Sequence, residues 1–287
     1  MGFLLRREEV LNVEQLQSML DDSPVRAAQA ILIAAKAGVV DAQALLGQIL
    51  LEGRGIARDE ALALRWFQIA AQGGHLMARN MIGRCREHGW GCAVDEAAAA
   101  REYRLAAHAG LDWGQYNYAN LLATGRGVVE DQAQALALYR QAAEQGHAKS
   151  MNLLGRYLED GQHCPKDVEA AVEWYRRSGE AGDFRGQFSH AAVLADSGQV
   201  DAALEWLHKA LAGGNLKFLQ TAHKALARAD DSRIRAIAEL YRQRATSCAF
   251  PRRAWERAGE GLNVEGFQRR KPIELNRAVA GGVGTGR

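Results

Sequence analysis

Residues 42–74 read AQALLGQILLEGRGIARDEALALRWFQIAAQGG, and this stretch decides the fold. Its apolar residues Leu45, Leu46, Ile49 and Leu50 recur at helical spacing. Gly53 and Gly55 stop that helix, because glycine accepts the left-handed conformation that closes a helix end. Asp59 then stands where a carboxylate can accept the first backbone N–H groups of a second helix. Leu62, Leu64, Trp66, Phe67 and Ala70 give the second helix its buried stripe, and Gly73-Gly74 ends it. One such pair leaves its stripe uncovered, so it needs neighbours of the same kind.

Working outward, those neighbours are present. Gly53, Gly89, Gly125 and Gly161 lie 36 residues apart, as do Asp59, Asp95, Asp131 and Asp167, and Gly74, Gly110, Gly146 and Gly182. The aromatics Phe67, Tyr103, Tyr139 and Tyr175 keep the period, and so do the small residues Gly47, Gly83, Ala119, Gly155 and Ala191. Four full units run at about 41–76, 77–112, 113–148 and 149–184. A fifth, 185–215, is four residues shorter in its central loop, which brings Trp206 into register with Trp174. Ala34, Ala35 and Gly38 match Ala70, Ala71 and Gly74, so half of an earlier unit precedes the first. Residues 1–40 read as N-terminal capping helices, 216–246 as a diverged helix pair and 247–287 as a basic, disordered tail. The expected fold is all-α: a right-handed α-solenoid of stacked antiparallel helix pairs, held by nearest-neighbour cohesion.

Ala42-Gln43-Ala44-Leu45-Leu46-Gly47, Gly53-Arg54-Gly55-Ile56, Asp59, Leu64-Arg65-Trp66-Phe67 and Ala70-Ala71-Gln72-Gly73-Gly74 together resemble the Sel1-like repeat, the 36-residue variant of the tetratricopeptide helix pair. The resemblance spans about residues 34–215. It departs at Glu102, where Trp66 and Trp174 supply an aromatic, and at His163, which replaces the second loop glycine. The resemblance implies a non-catalytic adaptor that binds a protein or peptide, and that inference is by analogy of fold.

The chain has 287 residues, with 36 Lys and Arg against 34 Asp and Glu, a net charge of +2. Bulk charge therefore does not make it a polyanion binder. Four prolines suit long helices. No run of 18 apolar residues occurs, so no membrane span is expected. The N-terminus turns charged at Arg6-Arg7-Glu8-Glu9 without a signal-peptide core, and four cysteines do not make a disulfide scaffold. Both readings point to the cytoplasm. Residues 4–20 form an amphipathic segment whose expected role is to cap the first repeat.

Cys85, His88 and Cys92 lie close enough in sequence to suggest zinc. The repeat register favours packing instead. Cys85 shares a column with Ile49, Leu121 and Tyr157, and Cys92 and Cys164 share one with Ile56 and Val128. Some secreted relatives staple helices with cysteine pairs, but the matching positions here hold Ala71 and Arg79, Ala107 and Gln115, Ala143 and Met151. His75 and His147, in a turn column with Leu111 and Asp183, are expected to help end helices. No HExxH, P-loop or GxSxG motif appears. No catalytic, cofactor-binding or metal-ligating set emerges, so the expectation is that the chain is not an enzyme.

In tetratricopeptide-type arrays the first helix of each pair lines the concave face. Carried over, three columns face that groove: Gln48, Arg84, Asn120, Arg156 and Ala192; Ala44, Asn80, Tyr116, Asn152 and Phe188; Asp41, Met77, Trp113, Lys149 and Arg185. Their centre, Asn80, Arg84, Trp113, Tyr116, Asn120, Lys149, Asn152 and Arg156, is the candidate peptide-binding groove. Arginine pairs bidentately with carboxylate, and asparagine amides can hold a peptide backbone. The expected partner is an acidic peptide or a chain's C-terminal carboxylate. Two alternatives stand beside it: a regulatory subunit of an enzyme, and nucleic-acid contact through 248–287, which carries a net charge of +4 and the aromatics Phe250, Trp255 and Phe267.

Overall fold

The computed structural model describes residues 20–248. Among them every regular element is an α-helix. The chain divides into two compact units, Met1–Asp131 and Gln132–Arg287.

Unit 1 holds α1 (Pro24–Lys36), α2 (Val40–Glu52), α3 (Glu60–Gln72), α4 (Leu76–His88), α5 (Glu96–His108) and α6 (Asp112–Leu122), each packed against the next. The helices begin and end as the sequence pattern requires. The Asp59 carboxylate accepts the Leu62 N–H at 2.8 Å, and Asp95 does the same for Ala98 at 2.8 Å. The backbone N–H groups of the same two aspartates reach back to Leu50 and Arg86 at 2.9 and 2.8 Å. One residue thus starts the second helix and ties it to the end of the first. Gly53 and Gly89 close α2 and α4 at φ 69° and 74°.

Packing inside a repeat turns on a missing side chain. A Cβ on Gly47 would lie 2.7 Å from the Phe67 ring, and one on Gly83 would lie 2.6 Å from Tyr103. The aromatic of the second helix therefore lies directly on the backbone of the first. Both rings are fully buried, worth about 1.5–3 kcal/mol each.

Packing between repeats turns on the second loop glycine. Gly55, Gly91 and Gly127, all at positive φ, sit against the backbone of Pro24, Glu60 and Glu96, each 31 residues upstream. A Cβ on Gly91 would lie 2.3 Å from the Glu60 carbonyl oxygen. The Gly91 N–H also donates to the Glu60 carboxylate at 3.2 Å. Each loop is thereby set onto the first turn of the preceding repeat's second helix.

Unit 2 holds α7 (Gln132–Glu144), α8 (Ala148–Asp160), α9 (Val168–Glu180), α10 (Phe184–Asp196), α11 (Val200–Gly213), α12 (Leu216–Leu226) and α13 (Ser232–Cys248). The same devices recur: Asp167 caps Ala170 at 2.9 Å, Gly161 closes α8 at φ 68°, and a Cβ on Gly155 would meet Tyr175 at 2.6 Å. His163 stands at the loop-glycine position and keeps the left-handed backbone, φ 58°. The C-terminal pair closes unit 2 with an aromatic cluster. Phe218 meets Phe184 at 4.7 Å and Phe188 at 5.6 Å, and the Tyr241 hydroxyl donates to the Leu207 carbonyl at 2.7 Å.

The amphipathic segment read at 4–20 and the tail read at 247–287 fall outside the described residues, apart from their inner ends. Leu20 is buried against the α1–α4 core.

Because a left-handed backbone costs a non-glycine residue about 1–2 kcal/mol, His163→Gly is expected to stabilise the chain by about 1 kcal/mol. Gly91→Ala is expected to cost about 2 kcal/mol or more, since its methyl group meets fixed backbone. Urea unfolding of the two variants measures both.

Candidate functional site

Each unit carries part of the predicted groove on its first helices. In unit 1 these are Asn80 and Arg84 on α4, with Trp113, Tyr116 and Asn120 on α6, a helix that packs directly on α4. In unit 2 they are Lys149, Asn152 and Arg156 on α8, which packs on α10.

The asparagines lie deeper than the column pattern suggested. Asn80 is 1% exposed and Asn120 2%, and Asn152 is buried as well. Asn80 Oδ1 accepts from Asn117 Nδ2 at 2.8 Å, bridging α4 to α6. Asn152 Oδ1 accepts from Ser189 Oγ at 3.0 Å, bridging α8 to α10. Both bridges join residues 37 positions apart, so one device holds successive first helices together. This departs from the expectation that these amides meet a peptide backbone: burial takes Asn80, Asn120 and Asn152 away from an incoming chain. Asn117 and Ser189 escaped the sequence reading. Their signal is a column, Leu45, Met81, Asn117, Leu153 and Ser189, that turns polar only in the repeats following Asn80 and Asn152.

Tyr116 is also buried, and its ring props Trp113 edge-on at 6.3 Å between centroids. Trp113 itself is 36% exposed. Arg84 is half-buried, with its guanidinium over the Trp90 ring at 5.1 Å. Lys149 and Arg156 are half-buried on α8. Phe188, the last member of its column, packs into the aromatic cluster with Phe218 and Tyr241. Arg84, Trp113, Lys149 and Arg156 therefore keep a solvent-facing part, and the amides become the framework beneath.

Beside Arg84 lies a buried charge that the sequence reading passed over. The Glu87 carboxylate accepts from the Tyr103 hydroxyl at 2.7 Å and pairs with Arg126 at 2.9 Å. Burial and the adjacent carboxylate push the Tyr103 phenol well above its usual range. At the matching positions of the preceding repeat stand Leu51, Phe67 and Trp90, all in or against one apolar cluster. Tyr175 and Glu159 repeat the phenol–carboxylate bond at 2.7 Å.

The cysteines and histidines fill structural positions. Cys85 is buried, and burial raises its thiol to about 12. Cys92 and Cys164 are half-buried rather than fully enclosed, and each Sγ donates to a first-helix carbonyl, Cys85 at 3.5 Å and Tyr157 at 3.4 Å. Among the described residues no group of three or more His, Cys, Asp or Glu is arranged to hold a metal. His75 and His147 begin helices instead of ending them. The Nδ1 of each accepts a backbone N–H, from Ala78 at 3.0 Å and from Ser150 at 3.3 Å, which places them with Asp183 and its bond from Gly186 at 3.3 Å.

The comparisons with known proteins find a repeat of the same period. The family model described as Sel1 repeat matches residues 40–75, 76–111, 114–147, 148–183 and 197–215. The chain belongs to the Sel1 repeat family. Among solved structures, it is similar to a protective antigen present in uropathogenic Escherichia coli strains, which displays an SLR fold, at 27% identity and TM-score 0.60. That match covers 82% of this chain and 53% of the antigen, so the chain spans about half of the antigen's length. A Sel1 repeat protein from Oxalobacter formigenes is similar at 24% identity and TM-score 0.67, over 81% of this chain and 99% of that one. An immunity protein from Pseudomonas aeruginosa shares the fold at 16% identity and TM-score 0.51, over 78% of this chain and 88% of its own. Among curated proteins none matches. Sel1 repeats serve generally as protein-interaction scaffolds, and no described helix is long and apolar enough to cross a membrane.

Within this Sel1 array the Glu87 site yields a prediction. Glu87→Leu alone should cost about 2 kcal/mol, because it leaves the buried Tyr103 hydroxyl without its acceptor and Arg126 with only the longer Glu96 contact at 3.7 Å. Glu87→Leu/Tyr103→Phe/Arg126→Trp, which copies the preceding repeat, should recover most of that loss in urea unfolding.

A second prediction concerns pH. His190 occupies the core column of Leu46, Ile82, Tyr118 and Leu154, and it lies edge-on to Trp206 at 5.1 Å. Burial lowers its pKa below 6.5, with Arg176 adding to the shift and Glu180 and Glu173 opposing it. The unfolded chain thus takes up this proton at higher pH than the folded one. Stability is complete above the unfolded value and falls as pH drops through 6.5 toward the folded value. His190→Leu should flatten the fall in urea midpoint between about pH 7.5 and about pH 5.5; an unchanged slope contradicts the assignment.

Proposed function

We propose that this Sel1 repeat chain is a non-catalytic cytoplasmic adaptor whose first helices present a cationic and aromatic surface to an acidic peptide or to a chain's C-terminal carboxylate. The observation that carries the reading is Trp113. It stands partly exposed on α6, fixed by the buried Tyr116 ring, on a helix packed against the one that bears Arg84. Tryptophan, tyrosine and arginine dominate the energy of protein interfaces, and the two aromatics bury large area at a small loss of side-chain freedom. Arginine adds a planar fork that matches a carboxylate.

The framework beneath supports this reading. The Asn80–Asn117 and Asn152–Ser189 bridges fix the spacing of neighbouring first helices, so the groups above them are held before a partner arrives. Rigid presentation lowers the ordering cost of binding. In unit 2, Lys149 and Arg156 occupy the corresponding columns and put positive charge on that unit's own first helix α8. The mechanism involves no bond making: the surface selects a partner by charge and by contact with the exposed Trp113 ring.

Affinity capture from lysate of the native cell, with the intact chain beside Arg84→Glu/Arg156→Glu, tests the proposal. A partner bound by the intact chain should lose at least tenfold in affinity when both charges are reversed. Equal capture by both proteins would move the site off the first helices.

A further inference from the structure

The outward sides of the second helices in unit 1 carry a second pattern. Ile33, Ile69 and Leu105 occupy one column, 36 residues apart on α1, α3 and α5. They are 71%, 42% and 48% exposed. The fold does not require apolar residues there, since the same column continues in unit 2 as Gln141, Arg177 and, after the four-residue deletion, Lys209. Val25 on α1 and Leu62 on α3 are exposed as well.

Bases surround this column. Arg26, Lys36, Arg65, Arg101 and Arg104 are all exposed on α1, α3 and α5. Among the described residues no carboxylate lies within ion-pair distance of any of them. The acids of these helices are occupied elsewhere: Glu60 pairs with Arg58, Glu96 faces Arg126 at 3.7 Å, and Glu102 meets Arg79 at 3.3 Å. In unit 2 the column of Arg65 and Arg101 carries Ala137, Glu173 and, after the deletion, Glu205, so the pairing of those two bases with an aliphatic residue is confined to unit 1.

We propose that this second-helix face of unit 1 docks on an anionic lipid surface, its aliphatic column entering the headgroup boundary while the five bases meet phosphates and carboxylates. Two observations favour a bilayer over a protein. Each of the three helices sets an aliphatic residue beside a base, four residues before it on α3 and α5 and three after it on α1, a loose register that a laterally uniform anionic surface would accept. It also lacks an exposed aromatic anchor of the kind that centres protein interfaces, since Trp66 is half-buried against the core. The inference is independent of the peptide-binding face and concerns where an adaptor would be held.

The test is co-sedimentation of the full chain with vesicles of phosphatidylcholine alone, or with about 30% phosphatidylserine, at low and high salt. Wild type should bind the anionic vesicles at least tenfold more tightly, and most of that preference should vanish at high salt. Each base near the surface counts for about fivefold, so Arg65→Glu/Arg101→Glu should weaken binding about 25-fold or more. Ile69→Ser/Leu105→Ser should weaken the residual binding at high salt. All four substituted residues are exposed, and an unchanged thermal melt verifies folding. The basic C-terminal tail is common to every protein in the comparison. No preference for anionic vesicles, or equal binding by the charge-reversed variant, overturns the proposal. So does a face that ignores vesicles but binds a glutamate-rich amphipathic peptide.

Discussion

The close approach of a loop backbone to the start of an earlier helix is the constraint on which unit 1 depends. Gly55, Gly91 and Gly127 each lie against backbone 31 residues upstream, nearer than any side chain permits. Two requirements meet at that position: a left-handed backbone and no Cβ in the way. Glycine meets both, and the contact then fixes how far each repeat is set from the last. The Asp59 and Asp95 caps and the Gly47–Phe67 and Gly83–Tyr103 contacts operate inside that spacing. Neighbouring repeats are thus joined by backbone geometry, which leaves their outward side chains open to variation.

That variation shows where the fold is tolerant. The space filled by Leu51, Phe67 and Trp90 in one repeat is filled by Glu87, Tyr103 and Arg126 in the next. The apolar set stabilises by area removed from water. The polar set must offset the cost of burying a carboxylate, which it does with a phenol and a guanidinium at hydrogen-bond distance. The exchange involves three residues together, because a carboxylate at position 87 without both partners would be an uncompensated buried charge.

Much of this was legible in the sequence, since the devices that repeat at 36 residues announce themselves. Asp59, Gly53, Gly55 and Phe67 each have counterparts at fixed spacing, which marks them as structural, although the backbone contact that Gly55 makes with Pro24 leaves no sign in spacing. The Asn80–Asn117 and Asn152–Ser189 bridges were not legible in the same way. They join residues 37 apart, one column over, and occur only in alternate repeats. A polar column on the first helices therefore looked like open groove when part of it was framework. The histidine caps were misplaced for a related reason. The turn at 75 and 147 lies between two helices, and sequence spacing alone does not tell which helix receives the Nδ1 bond.

On the function proposed above, the first helices of each unit divide their labour. Buried amides hold neighbouring helices in register, and Arg84, Trp113, Lys149 and Arg156 stand above them. The measurement that tests this division most directly is hydrogen exchange of the full chain with and without its captured partner. The account predicts new protection on α4, α6 and α8, with the second helices α3 and α5 unchanged. Protection confined to the second helices, with none on α4, α6 or α8, would contradict it.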